Sequence, residues 1–219
     1  MPTRLPLFPL GTVLVPGLVL PLHVFEPRYR VLVQALMELP EGAPRQFGVI
    51  AIRSGREVGA DGVRALYEVG CTAELREVTP YDDGRFDVVG VGDSRFRLRG
   101  LDAEAGTPYH TGLVDLIREE DGEGALGALT VKVIRAFAAY RQALGVEITE
   151  LPQDPQVVSY LVAAAVVLDL PERQALLEQA TTADRLRAEV ELVRRERSLI
   201  AAFRALPAVD LAGEQVSPN

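Results

Sequence analysis

The chain has 219 residues, 31 acidic and 23 basic, with a formal net charge of −8, two histidines, one cysteine and no tryptophan. A single cysteine, Cys71, excludes an intramolecular disulfide and any cysteine-built zinc or iron–sulfur site, and it fits a reducing compartment. Only one basic residue is a lysine, Lys132, and no glycine precedes it in Leu-Thr-Val-Lys-Val-Ile, which excludes a Walker-type phosphate loop.

In chain order, residues 1–118 read as β-rich. The opening stretch is short apolar runs punctuated by Pro2, Pro6, Pro9, Pro16 and Pro21, which place strand starts, edges and turns. The same prolines break any signal-peptide core. One helix is expected over 26–36. Pro27 suits a first helical position, and Phe25, Tyr29, Leu32, Val33 and Leu36 follow the spacing of one buried face. Strands are expected over 47–53, 65–78, 86–91, 95–101 and 111–118. Asp82-Asp83-Gly84 marks a hairpin turn. Gly90-Val91-Gly92 reads as a bulge or turn, and Gly92-Asp93-Ser94-Arg95 as a turn between two strands. Alternation over 95–99 points Phe96 and Leu98 inward and Arg95, Arg97 and Arg99 outward, as a solvated row facing acids such as Glu74 and Asp87.

The polar run 119–124 is the expected break between two subdomains, 1–118 and 125–206, with a loose tail over 207–219. Beyond the break the pattern is helical. Leu126, Leu129, Val133, Phe137, Tyr140 and Leu144 form one stripe. Asp154-Pro155 opens a second helix that is apolar almost all round. Its apolar run, 157–168, is 12 residues, against the about 20 needed to cross a bilayer. Pro171 opens a third helix to about 179. Thr181 or Thr182 caps a fourth to about 205, with Arg185–Glu189, Arg187–Glu191 and Glu191–Arg195 as exposed pairs one turn apart. The 1–118 half carries a net −2 and the rest a net −6, so the near-neutral β half is where a partner is expected.

Catalytic signals are sparse. His23 and His110 stand alone, without the convergent ligands of a metal site. None of Ser54, Ser94, Ser159, Ser198 or Ser217 lies in a nucleophile elbow, and Ser159 and Lys132 have no third group to orient them as a dyad. No catalytic residue, metal or cofactor is expected. The most suggestive polar cluster is Glu26-Pro27-Arg28-Tyr29, which reads either as an ion pair orienting a helix or as the floor of a binding groove.

The order of motifs resembles the N-terminal, substrate-binding domain of Lon proteases. The carriers are Leu5 to Leu10, Pro16-Gly17, Pro21-Leu22 followed by the helix, Leu66 to Cys71 (with Cys71 where the family usually has Thr), Gly92 to Leu98, and Leu170-Pro171 through Leu177-Glu178 to Arg185-Leu186. The similarity covers about 4–205. It implies an α+β fold: a PUA-like β-barrel with one inserted helix, followed by a bundle of about four helices. It also implies a stand-alone, non-enzymatic, cytoplasmic module for protein or peptide recognition, since the family's phosphate-loop and dyad lysines have no counterpart. The expected partners are exposed hydrophobic or unfolded protein segments and a protease acting in trans, with no membrane and no nucleic acid. Phe25, Glu26, Arg28, Tyr29, Tyr81 and Tyr109 are the candidate peptide-binding residues. The alternatives are an RNA-binding PUA-like protein, which the acidic balance opposes, and a small-molecule enzyme using His23 or His110.

Overall fold

Prolines and glycines divide the first half of the chain into seven strands around one helix. The structure, a computed structural model, describes residues 2–55, 63–147 and 150–205; the tail expected over 207–219 lies outside them. The elements are β1 (Thr3–Leu10), β2 (Val19–Val24), α1 (Pro27–Met37), β3 (Gln46–Gly55), β4 (Val63–Leu66), β5 (Val69–Pro80), β6 (Phe86–Leu101), β7 (Thr111–Leu116), α2 (Leu126–Leu144), α3 (Pro155–Ala165), α4 (Leu170–Leu177) and α5 (Thr182–Ala205). The α+β class and the helical second half are as expected.

The sheet runs β1-β7-β6-β5-β3-β4, with β2 paired to the first half of β6 on the edge opposite β5. It curls back on itself through β1, but not as an even barrel. The first half of β1 pairs antiparallel with β7 (Thr3 opposite Val114, Pro6 opposite Thr111). Its second half pairs in parallel with β3 (Leu7 opposite Gly48, Leu10 opposite Ala51). Each half of β1 thus serves one neighbour, and the curl is staggered and does not close as the expected PUA-like β-barrel. Phe8, Val24, Tyr29, Leu32, Leu36, Phe47 and Phe86 fill the curl, with Tyr29 stacked on Phe8 at 4.0 Å between centroids.

Three strand boundaries differ from expectation. The run expected over 65–78 breaks at Tyr67-Glu68, giving β4 and β5. The two strands expected over 86–101 are one, and β7 ends at Leu116. The Gly92–Arg95 turn is instead a register shift within β6, between the pairs Cys71–Arg95 and Ala73–Gly92. Gly92 is needed there for close approach, since a Cβ would lie 2.2 Å from the Val15 carbonyl oxygen. The Asp82-Asp83-Gly84 hairpin forms as expected, with Gly84 at φ +80°.

The shift also decides where Arg95 goes. It was expected outward; it is 1% exposed, under the helical bundle. Its Nε and Nη2 donate to Glu119 at 2.6 and 3.2 Å, and its Nη1 to the carbonyls of Leu177 and Gln179 at 2.7 and 2.6 Å. Those carbonyls lie at the C-terminal end of α4, the negative end of its dipole. Tyr160 of α3 donates to Glu119 at 2.7 Å, and Arg185 of α5 reaches it at 3.4 Å with its guanidinium 4.0 Å over the Tyr160 ring. Gln174 of α4 donates to the Val69 carbonyl at 2.9 Å. An apolar layer of Val13, Val15, Ala51, Val69, Tyr160 and Leu177 surrounds this network. The other row members pair as Arg97–Glu68 and Arg99–Asp115, not with Glu74 or Asp87.

In the bundle, Asp154 caps α3 by accepting from the Val157 N–H at 2.8 Å, and Asp169 caps α4 one residue earlier than expected. Thr181 caps α5 by accepting from the Asp184 N–H at 3.1 Å. The carbonyls of Glu120 and Asp121 take the next orphan donors, from Thr182 and Ala183. The pairs expected on the α5 surface differ: Arg185 and Glu189 are buried, Arg187 pairs with Asp184, Glu191 with Arg194, and Arg195 with Glu172 and Glu196. Arg187, Glu191 and Arg195 are exposed as expected, whereas Arg185 and Glu189 lie on the face that the neighbouring helices cover.

Cys71 is buried in the curl, and burial pushes its thiol well above the ordinary range. A thiol reagent at pH 8 is therefore expected to leave the native protein unmodified and to titrate the thiol fully in denaturant. Rapid native reaction would contradict this packing.

Candidate functional site

The gap left by the staggered curl opens between the second half of β1 and strand β2. Pro9 of β1 lines it and has no N–H to donate to a neighbouring strand. The result is a pocket of about 160 Å³ lined by Phe8, Pro9, Leu10, Leu22, His23, Val24, Phe25, Glu26 and Tyr29. Phe25 stands at its rim, 50% exposed; the expected inward face of α1 holds Tyr29, Leu32, Val33 and Leu36 but not Phe25. The Glu26 carboxylate does not cap α1; it pairs with Arg28 at 3.1 Å, and the Arg28 guanidinium lies 4.6 Å over the Tyr29 ring. The ion pair and the pocket floor, weighed as rival readings of this cluster, occupy the same place.

Tyr81 extends the site outward. It is 43% exposed and meets the His23 ring edge-on at 5.9 Å; on its other side His23 stacks with Phe25 at 6.4 Å. Phe25, His23 and Tyr81 form an exposed aromatic row. Asp87 holds it, accepting from the Tyr81 hydroxyl at 2.6 Å and lying 2.7 Å from His23 Nδ1. The Tyr81 hydrogen bond, and then that from His23, keep the Asp87 carboxyl below the usual carboxylate range. Arg85 Nη1 sits 3.3 Å from His23 Nε2. A guanidinium only donates, so Nε2 accepts and Nδ1 carries the proton toward Asp87. Both ring nitrogens are thus engaged, Nε2 through the lone pair that faces Arg85 and Nδ1 through its contact with Asp87.

Tyr109 is not at the pocket: it is half-buried against the core of the curl. His110 is also apart from it, on a second pocket of about 350 Å³ with Leu66, Tyr67, Leu98 and Leu101. Burial, then the charge of Arg28, lowers the His110 pKa from its ordinary value. Ser159 is buried, accepts from Arg185 Nη1 at 2.9 Å and donates to the Gln156 carbonyl, while Lys132 is on the outer face of α2. Among the described residues no group of three or more His, Cys, Asp or Glu could hold a metal ion, and no helix is long and apolar enough to cross a membrane. Sequence reasoning missed Phe8 and Leu22. Both sit in apolar runs and belong to or pack against the core of the curl, so their place at the pocket has no local signal.

The family profile of the ATP-dependent protease La (LON) substrate-binding domain matches residues 4–195. The chain is 32% identical over 195 residues to Lon protease 2 of Herpetosiphon aurantiacus, and 29% identical over 211 residues to Lon protease 2 of Myxococcus xanthus. These alignments cover 84% and 91% of this chain but 23% and 24% of those proteins, so the chain spans about a quarter of their length. Among solved structures it is similar to the N-terminal domain of the Mycobacterium avium complex Lon protease (TM-score 0.68, 17% identity, 87% of this chain and 98% of that one). It is also similar to a Lon N-terminal domain protein from Xanthomonas campestris (TM-score 0.61, 24% identity, 84% and 95%).

Proposed function

Because the chain belongs to the Lon substrate-binding domain family, we propose that it recognises protein segments without chemistry of its own, and that it seats an apolar side chain in the pocket between β1, β2 and α1. The observation that carries this reading is the half-exposed Phe25 at the rim of an apolar pocket, continued by the His23–Tyr81 row. Aromatic side chains fixed at a concave edge bury much area on contact at little entropic cost. Glu26 and Arg28 supply a paired polar rim that orients an entering segment. The curled sheet over 1–118 is the recognition part in this reading. The bundle over 125–206 supports it through Arg95 and Glu119. Unfolded clients, and a protease acting in trans, are the partners in a cytoplasmic setting.

The test is fluorescence anisotropy with a fluorescein-labelled peptide rich in Phe and Leu. Binding is expected below about millimolar, and Phe25→Ser is expected to weaken it about tenfold, since an aromatic burial is worth about 1.5–3 kcal/mol. Equal affinity of the variant, or no binding tighter than millimolar, would overturn the reading.

A further inference from the structure

The helical half is acidic in sum, yet one of its surfaces is not. Between α2 and α5, the most closely packed helix pair, lies a groove of about 630 Å³ lined by Lys132, Arg135, Ala136, Ala139, Arg194, Arg197 and Ser198. On α2, positions 132, 135, 136 and 139 share one face; on α5, positions 194, 197 and 198 do. The cations form the rim and the two alanines leave the floor open. Among the described residues, Arg194 pairs with Glu191 at 3.2 Å, and Lys132, Arg135 and Arg197 have no carboxylate within 4.0 Å. Like charges held together without partners repel one another, so the arrangement is relieved by an anion.

We propose that this groove binds a short acidic peptide segment of a partner protein, through carboxylates paired with Arg135, Arg194, Arg197 and Lys132. Charge complementarity and dimension select this occupant. From Lys132 to Ala139 the groove is about 10 Å long, the length of about two helical turns or three to four extended residues. Beyond it the bundle surface returns to net negative charge. A nucleic acid, with a charge every ~1.7 Å along its axis, would overrun the groove onto acids that repel it; a segment of a few carboxylates would not. Guanidinium forks also match carboxylates two bonds at a time. The site lies on the helical half, apart from the Phe25 pocket, and does not depend on that pocket's function.

The experiment uses the full chain and a fluorescein-labelled oligo-glutamate of about eight residues, in anisotropy at low salt. Binding is expected, weakening as salt rises because exposed pairs are screened. The double substitution Arg135→Glu and Arg197→Glu is expected to weaken it at least tenfold, with the thermal midpoint recorded to show that the fold persists. Should that variant not fold, Lys132→Gln alone is expected to cost about twofold to threefold. Arg76→Glu on β5, away from the groove, should leave the affinity for the oligo-glutamate unchanged. Unaltered affinity in the groove variants overturns the proposal. So does tighter binding of a duplex DNA than of the peptide, or a doubled solution mass that the double substitution abolishes, which would make the occupant a second copy of the chain.

Discussion

Replacing Arg95 by Ala is expected to lower stability by about 3–5 kcal/mol, the cost of removing one partner from a buried, hydrogen-bonded charge pair. In a chain of this size that corresponds to a fall in thermal midpoint of about 10 °C. The magnitude follows from what is stranded. Glu119 loses both contacts to the Arg95 guanidinium, its shortest among them, and the Leu177 and Gln179 carbonyls lose their donors inside a closed interface. Arg185 remains near Glu119 at 3.4 Å but cannot reach those carbonyls in place of Arg95, because its other nitrogens donate to Leu176 and Ser159. Arg95→Lys keeps the charge and loses the fork, and should recover only part of the loss. The network also sets the acid limit of the fold. Burial alone would raise the Glu119 carboxyl; hydrogen bonds from Arg95 and Tyr160 and the charges of Arg95 and Arg185 outweigh it and hold the pKa below the ordinary value. A depressed folded-state pKa means stability that is present above the unfolded pKa, near 4.5, and is lost as pH falls through the folded one. Thermal melts from pH 7 down to pH 3 should therefore show wild type losing more than Glu119→Gln. Melting of Arg95→Ala within about 2 °C of wild type would remove this pair as the join between sheet and bundle.

Much of this was legible in the chain, and the failures share a cause. Helix boundaries followed from Pro27, Asp154-Pro155 and Thr181, because caps and first-turn prolines act locally. The Glu26–Arg28 pair and the pocket position of Tyr29 were also local, within one helical turn. Arg95 and Glu189 were misplaced because alternation and helical spacing tell which residues share a face, not what covers that face. The outer side of β6 at Arg95 would be wet in a sheet standing alone; here α4 ends on it. Tyr109, expected among the candidate anchors, packs half-buried against the core of the curl and away from the pocket. The pocket itself had no sequence signal beyond Pro9, since a gap between two strands depends on the staggered pairing of β1 with β7 and β3. Likewise the summed charge of the helical half hid four cations that two helices bring to one groove.

Glu189→Met is expected to do the reverse of Arg95→Ala and stabilise the protein, by about 1–3 kcal/mol near neutral pH, because it replaces a buried carboxyl that makes no hydrogen bond with an apolar group of similar volume. Glu189 is 1% exposed on the inner face of α5, and among the described residues neither carboxyl oxygen has a hydrogen-bond partner. Burial drives its pKa well above the ordinary value, and the Arg185 charge one turn away offsets only part of this. A raised folded-state pKa means that the fold binds a proton there more tightly than the unfolded chain, whose carboxyl titrates near pH 4.5. Such a group favours the fold fully below that pH and less and less as pH rises toward its folded pKa. The methionine has no proton to keep, so its advantage should grow between pH 5 and pH 8, read as the difference in thermal midpoint between variant and wild type at each pH. Arg185 does not become an uncompensated charge in the variant, because Glu119, Ser159, the Leu176 carbonyl and the Tyr160 ring still surround it. A gain that is constant with pH would mean that Glu189 is already charged and paired in the fold. A loss of stability would mean that its carboxyl holds α5 in place, in the way Glu119 holds the sheet to the bundle.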